Sequence, residues 1–386
     1  MRNKFLVSLF AFMLAASFAS AAQAEAEAWT DDSSVYTAVT EDGQTLFSIS
    51  GSISEGDEYI SRDNVLYRIS GVSGYTATAT RIGEEEMPDV SWLDTGAAQA
   101  VFAQKAVPAA AENADSRKLI AMYVTHSDES YIPSDGTESI EGQGGIYDVA
   151  RSFRDALQNQ GIDVILDEST HLPHDSGAYR RSRRTAERLL QKRPDAIIDI
   201  HRDGIPDQSE YTYSIDGENA SQVRLLVGRA NQNSDVNRTF AKQIKAVADK
   251  QYPGLIKDIF IGKGNYNQEL YPQAILLEFG THTISKDRVL NSTDLMAEVV
   301  STTLYGSQTG SAKSEESAQA AKNSKKSAEN KSSMKGIGWI ALVVIVGVLI
   351  FALLQTGGGK AMGSKLGRNL REMTGGLIGK KKDKNA

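Results

Sequence analysis

Apolar residues between 117 and 305 recur with two spacings, one typical of buried strands and the other typical of amphipathic helices. A strand candidate at 119–125 is followed by a helix whose apolar positions, three or four residues apart, are Ile146, Val149, Ala150, Phe153 and Leu157. The other predicted elements are strands at 162–166, 196–200, 223–228, 259–262 and 274–278 and helices at 178–191 and 233–250. Strands that alternate with helices predict an α/β domain, in which helices cover both faces of a mixed or parallel sheet.

The preceding segment, 28–94, has a different pattern, with short stretches in which apolar and polar residues alternate. Glycines at 43, 51, 56, 71 and 74 separate these stretches. The combination predicts a small β-rich region with antiparallel strands. The region contains no histidine. We therefore assign it no chemistry, and binding to the cell wall or to a partner is one hypothesis for its role.

Both ends of the chain carry apolar segments. Near the N-terminus, basic residues precede an apolar stretch at 5–16 and a small-x-small site at Ala22-Gln23-Ala24, which predicts a cleaved signal peptide over 1–24. Near the C-terminus, 337–354 is an uncharged apolar run, roughly 27 Å long as a helix, which is enough to cross a hydrocarbon core. The sequence therefore predicts one transmembrane helix after the α/β domain.

Charge predicts the orientation of that helix. The tail at 355–386 contains eight lysines and arginines and two acidic residues, whereas the whole chain has a net charge of −7. Positive flanks stay in the cytoplasm, so we expect a single-pass protein of the cell membrane with the α/β domain on the extracytoplasmic side. We interpret the basic tail as such a flank and expect no binding to nucleic acid.

Two linkers are predicted from composition. The segment at 95–116 is rich in alanine, and the segment at 306–335 is rich in Ser, Lys, Glu, Ala and Asn without periodic apolar positions. The second is typical of a disordered tether between the α/β domain at 117–305 and the membrane. The chain contains no cysteine, so disulfides are excluded.

Three predicted strands end in residues that can bind a metal or transfer protons. His126 and Glu129 follow the first strand, and His201 and Glu278 lie at the ends of two later strands. The carboxyl ends of parallel strands meet at one edge of a sheet, so these side chains can converge. A catalytic zinc takes three nitrogen or oxygen ligands, and a further carboxylate accepts a proton from water. Spacing alone leaves a second interpretation open, in which the same residues are strand caps, solvated carboxylates or ion-pair partners.

Several short motifs occur in an order that resembles a known family. They are Asp199-Ile200-His201-Arg202-Asp203, the preceding Tyr179-Arg180-Arg181-Ser182, the run from His126 to Tyr131, Leu226-Val227-Gly228 with Asn231 and Asn237 after it, Tyr266-Asn267-Gln268 and Leu276-Leu277-Glu278. Over about residues 118–300 the chain resembles the stage II sporulation protein P family of cell-wall hydrolases. Ordered motifs over this length are more specific than any one of them.

The resemblance implies a zinc-dependent enzyme related to the N-acetylmuramoyl-L-alanine amidases and sharing their fold. The implied substrate is peptidoglycan, cut at the amide bond between N-acetylmuramic acid and the L-alanine of the stem peptide. Endopeptidase activity on peptide crosslinks is implied as well. The implied partners are a lytic transglycosylase and other membrane proteins of a wall-remodelling complex. Relatives are usually anchored by an N-terminal helix, whereas this sequence predicts a C-terminal one. Engulfment in sporulation and other wall remodelling therefore both stay open as the task of the protein.

The resemblance also implies roles for individual residues. His126 and His201 become zinc ligands, and Glu278 becomes the general base that deprotonates water. For the third ligand we favour Glu129, which belongs to this family's own motif. The alternative is Glu141, because the wider amidase group has a ligand glutamate at a similar offset from the first histidine. Either glutamate could instead bind substrate.

Other residues are expected to support these roles. Arg202 is predicted to hold a substrate carboxylate, or alternatively to pair with Asp203 or Asp199. Asn267 and Gln268 are predicted to bind amides of the stem peptide, with loop stabilisation as the alternative. Asp199 is also a candidate to orient a ligand imidazole.

The remaining histidines and the overall function have alternatives. His174 and His282 are either substrate contacts or exposed loop residues, and His171 is expected to be structural or solvated. A catalytically inactive activator that binds peptidoglycan, or a membrane scaffold, is the alternative to an enzyme. The two histidines together with Glu278 favour the enzyme.

Overall fold

The computed structural model describes residues 34–94, 117–175, 177–215 and 217–306. The predicted signal peptide, the first linker, the membrane helix and the basic tail lie outside these ranges, as does all of the second linker except Gly306. Within the described ranges, no helix combines the length and the apolar character needed to cross a membrane.

The described residues form thirteen strands and five helices, besides three short 3-10 turns. The strands are β1 Val35–Thr40, β2 Thr45–Ser50, β3 Glu58–Ile60, β4 Val65–Ser73, β5 Thr76–Glu84, β6 Leu119–Tyr123, β7 Asp163–Asp167, β8 Ala196–Asp203, β9 Thr212–Ile215, β10 Glu218–Ser221, β11 Val223–Gly228, β12 Ile256–Gly262 and β13 Ala274–Thr281. The helices are α1 Ile132–Asp135, α2 Ile146–Asn159, α3 Ala178–Leu190, α4 Ser234–Gln251 and α5 Lys286–Tyr305.

Eleven strands form one mixed sheet in the order β2-β1-β5-β4-β3-β12-β11-β13-β8-β6-β7. The neighbours β7, β6, β8 and β13 are parallel, and β11 is antiparallel to β13 but parallel to β12. The remaining two strands, β9 and β10, form a separate hairpin. A mixed sheet with helices confirms the predicted α/β class. Strand β8 extends three residues beyond the predicted end at 200, to Asp203.

The central strands β6, β8, β11, β12 and β13 are almost entirely buried, because each face of the sheet has its own cover. On one face, residues such as Leu225 and Ile259 pack with apolar residues of α2, α4 and α5. On the other face, Ala186 and Leu189 of α3 cover one part of the sheet, and the N-terminal strands cover Leu226 and Phe260. Helices therefore lie on both faces, as predicted, and the second face is shared with β strands.

The N-terminal strands continue the sheet of the α/β part. Strand β3 pairs antiparallel with β12, with Ile60 opposite Ile259. The ring of Phe47 stacks on Tyr59 at 4.2 Å between centroids and lies 5.7 Å from the ring of Phe260. All described residues, from 34 to 94 and from 117 to 306 apart from 176 and 216, belong to one compact unit. The predicted boundaries at 28–94 and 117–305 stay predictions, but backbone pairing and a shared core join the described parts of both segments.

Candidate metal centre

The sheet brings the predicted site residues to one edge. Strands β6 and β8 are parallel neighbours, and His126 and Glu129 follow the carboxyl end of β6. On the next strands, His201 of β8 and Glu278 of β13 are direct partners in the parallel register. In each of these two strands one residue alone is not fully buried, namely Arg202 in β8 and Glu278 in β13. Arg202 and Glu278 are therefore partly exposed at this edge, whereas the other residues of both strands belong to the buried core.

Two histidines and one glutamate form a compact cluster. Oε1 of Glu129 lies 3.3 Å from Nδ1 of His126 and 3.5 Å from Nδ1 of His201. One ligand atom from each residue lies within 4.8 Å of those of the other two. The exposed fractions of His126, Glu129 and His201 are 7%, 3% and 2%. Within the described ranges this is the only group of three acidic or histidine side chains with such spacing.

The loop after β6 is packed so that Glu129 points into this cluster. The carbonyl oxygen of Glu129 accepts a hydrogen bond from the N–H of Ile146, and the N–H of Gly144 donates to Ser127. A Cβ on residue 144 would overlap the backbone of Glu129, so only glycine permits this approach. Glu141 is exposed in the same loop. The geometry therefore favours Glu129 over Glu141 as the third ligand.

Electrostatics make the cluster suitable for a cation. Burial lowers the pKa of His201, but the neighbouring carboxylates of Asp199 and Glu129 raise it well above its usual value. Burial raises the pKa of Glu129, but His201 and Arg202 lower it well below its usual value. The two shifts have one common cause, which is the attraction between an ionised Glu129 and positive charge on His201. A bound metal cation would meet the same field.

The residues fit a catalytic zinc in kind and number. Two imidazoles and one carboxylate are a known ligand set for such sites, which keep a further position open. Beside them, Oε2 of Glu278 is buried and accepts no hydrogen bond from the described residues. A buried carboxylate oxygen without a partner is costly in a site of purely structural purpose. It is expected where a substrate or water completes the site.

Glu278 has the environment of a proton-transfer group. Burial is the main cause that raises the pKa of its carboxyl to about 8, and Asp203 and Glu129 add to the increase. The charges of His201 and Arg224 oppose it. Carboxyl groups with a pKa close to the working pH are the efficient acids and bases in enzymes.

The cluster opens into a cavity of about 340 Å³, which Arg202 also lines. The backbone N–H of Arg202 donates to Oε2 of Glu129 at 2.9 Å. Its guanidinium donates to the carbonyl oxygens of Ser130 and Glu138 and lies 3.9 Å from Oε1 of Glu129. In this structure Arg202 thus supports Glu129 at the edge of the cleft, and its predicted contact with a substrate carboxylate stays a prediction.

Asn267 and Gln268 occupy a different position. The amide of Asn267 donates to the carbonyl oxygen of Tyr179 and to the hydroxyl of Ser182. The amide of Gln268 donates to the carbonyl oxygen of Leu226 and accepts from the N–H of Gly228. Both side chains are buried and are absent from the lining of the described cavity. These contacts favour the alternative of loop stabilisation over the predicted binding of stem-peptide amides.

The other histidines separate into two kinds. His174 and His282 line the cavity, and the ring of His174 stacks on His126 at 4.0 Å between centroids, with Nδ1 3.0 Å from Asp128. His171 is buried, with Nδ1 2.8 Å from the carbonyl oxygen of Val124, and has a structural role. The cavity is also lined by Ile49, Ser50, Gly51 and Ser52, which no chemical motif marks in the sequence.

Comparison with known proteins identifies relatives of the chain. Residues 62–301, more than half of the chain, match the family model described as Stage II sporulation protein P (SpoIIP). "Stage II sporulation protein P" of Bacillus subtilis (strain 168) is 27% identical over 237 residues, which are 56% of this chain and 58% of that protein. The match therefore spans less than two thirds of that relative.

Solved structures of amidases show weak likeness to the chain. N-acetylmuramoyl-L-alanine amidase AmiC2 of Nostoc punctiforme is 14% identical, with a TM-score of 0.30, over 49% of this chain and 96% of that structure. The CwlD amidase from Clostridioides difficile, in complex with the GerS lipoprotein, is 13% identical, with a TM-score of 0.33, over 49% of this chain and 95% of that structure.

Proposed function

Since the chain belongs to the stage II sporulation protein P family, we propose that it is a peptidoglycan hydrolase that acts in sporulation or in related remodelling of the cell wall. The proposed reaction is hydrolysis of the amide bond between N-acetylmuramic acid and the L-alanine of the stem peptide. Cleavage of peptide crosslinks is a second proposed activity. The observation that carries the proposal is the cluster of His126, Glu129 and His201 with Glu278 beside it.

His126, Glu129 and His201 would hold the metal ion, and the ligand types favour Zn²⁺. When bound, the ion supplies Lewis-acid polarisation of the scissile carbonyl and makes water more acidic. The carboxylate of Asp199, whose Oδ1 lies 3.1 Å from Nε2 of His201, stands where it would support that ring as a ligand.

Glu278 transfers the proton in the proposed reaction. Its carboxylate accepts a proton from the water whose oxygen attacks the carbonyl carbon. The carbon–nitrogen bond then breaks, and Glu278 passes the proton to the leaving nitrogen. The products are a lactyl carboxylate on the glycan and a stem peptide with a free amine. A pKa near 8 suits a group that accepts and then donates within one turnover.

Location and partners belong to the same proposal. The predicted signal peptide, membrane helix and basic tail support a single-pass membrane protein with the catalytic part outside the cytoplasm. A substrate as large as the cell wall and the tether predicted at 306–335 are consistent with this placement. A lytic transglycosylase is the proposed partner, because it would cleave the glycan after its peptides are removed.

Digestion of purified peptidoglycan by the full chain tests the proposal. Products are identified by mass before and after digestion of the glycan, since an amidase frees stem peptides with N-terminal L-alanine, whereas an endopeptidase leaves uncrosslinked peptides attached to the glycan. Removal of metal by a chelator should stop the release, and addition of Zn²⁺ should restore it. A protein that binds peptidoglycan but releases nothing, with or without Zn²⁺, would instead be the inactive activator.

A further inference from the structure

The segment at 34–61 precedes the range that matches the family model, yet part of it lines the catalytic cavity. Ile49, Ser50, Gly51 and Ser52 face the same cavity as the metal centre. We infer that these four residues, here called the neutral wall, receive the glycan side of the scissile bond. The inference rests on the proposed function, because it assigns the two sides of that substrate to two parts of the cleft.

The neutral wall is fixed by charged side chains of the α/β part. Strand β2 is the last strand of the described sheet, so no further strand pairs with its outer edge. There the N–H of Ser48 donates to Glu210 and its carbonyl oxygen accepts from Arg224, both at 3.0 Å. The N–H of Ser50 donates to Oδ1 of Asp203 at 2.9 Å. Side chains thus replace a neighbouring strand and hold β2 in place.

Close packing sets the distance between the neutral wall and the ligand strand. Gly204 follows β8 directly, and a Cβ there would overlap the side chain of Ser50. Gly51 has φ of 119°, a conformation that side chains disfavour, and it turns the chain at the end of β2. Because of these two glycines the chain passes close to Asp203. Ser52 therefore lines the cavity.

The chemistry of the neutral wall differs from the rest of the lining. Its residues are uncharged and offer hydroxyl and backbone groups, whereas the lining from the α/β part contains the charged Asp128, Glu129, Glu138, Arg202, Asp203 and Glu278 beside uncharged residues such as Leu226, Phe260 and Tyr266. The glycan side of the substrate has hydroxyl and N-acetyl groups but no ammonium, whereas the stem peptide carries ionised groups. Hydrogen bonding without charge suits the glycan, and Arg202 suits the carboxylates of the peptide.

Competition assays with the full chain test this assignment. Ser52→Trp places bulk on the neutral wall, and Ser73→Trp is the matched control, because Ser73 is exposed at the end of β4 and does not line the cavity. Peptide-free glycan strands and free stem peptides are added as separate inhibitors of peptidoglycan digestion. We expect inhibition by glycan strands to weaken about tenfold in Ser52→Trp alone. Inhibition by stem peptides should be equal in the parent and in both variants.

Two results would overturn the assignment: equal inhibition of both variants by glycan strands, or selective loss of inhibition by stem peptides in Ser52→Trp. Thermal unfolding and zinc content show that the variants fold, and Ser52→Gln replaces Ser52→Trp if the latter does not. If the parent releases nothing, the proposed hydrolase activity fails. In that case the binding of fluorescent glycan strands is measured directly. The inference stands only if Ser73→Trp binds them more tightly than Ser52→Trp.

Discussion

Thr125 holds both carboxylate oxygens of Asp199. Its backbone N–H donates to Oδ1 at 2.9 Å, and its hydroxyl donates to Oδ2 at 2.6 Å. The same Oδ1 lies 3.1 Å from Nε2 of His201. The loop after strand β6 therefore fixes a carboxylate of β8, and that carboxylate lies beside the ring of a proposed ligand two residues later.

We predict that Asp199→Asn lowers zinc affinity by about 10- to 100-fold, because the ligand imidazole of His201 loses the negative charge 3.1 Å from its Nε2. Competition with a chromogenic chelator measures the affinity. Asp163→Asn is the control, since Asp163 pairs with Arg117 on the surface. Equal zinc affinity of the two variants would show that Asp199 does not support the metal.

The third ligand is tested by separate exchange of two glutamates. Glu129→Gln should remove most bound zinc, because Glu129 lies between the two histidines. Glu141→Gln should retain zinc at the level of the parent, because Glu141 is exposed. Metal content per chain after dialysis gives the result. Loss of zinc in Glu141→Gln alone would reverse the assignment.

Glu278→Gln should abolish most activity and leave the metal in place. The amide cannot accept a proton from water, and general-base catalysis contributes roughly 10²- to 10⁴-fold to rate. The rate of stem-peptide release and the zinc content are measured on the same sample. Glu168→Gln, at an exposed carboxylate, is the control and should keep the parental rate. A Glu278→Gln variant with the parental rate excludes Glu278 as the base.

Gly144→Ala should damage the metal centre from outside it. The added methyl group would overlap the backbone of Glu129, so the loop must move and the carboxylate with it. We expect reduced zinc content and a lower unfolding temperature. Overpacking should lower the free energy of unfolding by about 1–3 kcal/mol. Gly71→Ala is the control, because the space around Gly71 is empty. Normal zinc content in Gly144→Ala would contradict the prediction.

The buried pair of Arg224 and Asp258 predicts a pH-dependent stability. Both side chains are fully buried, with two hydrogen bonds of 2.7 and 3.0 Å. Burial raises the pKa of Asp258, but the charges of Arg224 and Lys257 lower it by more, so the pKa lies below the ordinary value of this carboxyl. A lowered pKa in the folded state means that the stabilisation is present above the ordinary value and is lost as pH falls through the folded value.

Asp258→Asn should therefore lower the free energy of unfolding by about 3–5 kcal/mol at pH 7. The difference from the parent should shrink below pH 4, as the parental carboxyl becomes protonated. Urea unfolding at pH 7, 5 and 3 measures it. Asp155→Asn removes an exposed pair with Arg154 and should cost less than about 1 kcal/mol. A difference that is independent of pH would mean that charge at Asp258 contributes nothing.

Much of the central sheet could be predicted from local pattern. The strand at 196–200 is a short apolar run with β-branched residues. Such a run can be recognised from neighbouring residues alone, without knowledge of the residues that it contacts. His126, His201 and Glu278 could be found for the same reason, since each marks the end of such a run. The contacts of Asn267 and Gln268 were harder to predict, because a motif gives residue types but not the direction in which the side chains point.

The sequence by itself determined the α/β class, the strand ends that carry His126, His201 and Glu278, and the family. Only the tertiary structure brought Glu129 between the two histidines and placed Ser52 at the cavity. Both positions depend on loop conformation and on pairing between residues that are distant in the chain. Backbone pairing such as that of β3 with β12 leaves almost no trace in local sequence, because every residue except proline offers the same N–H and C=O groups.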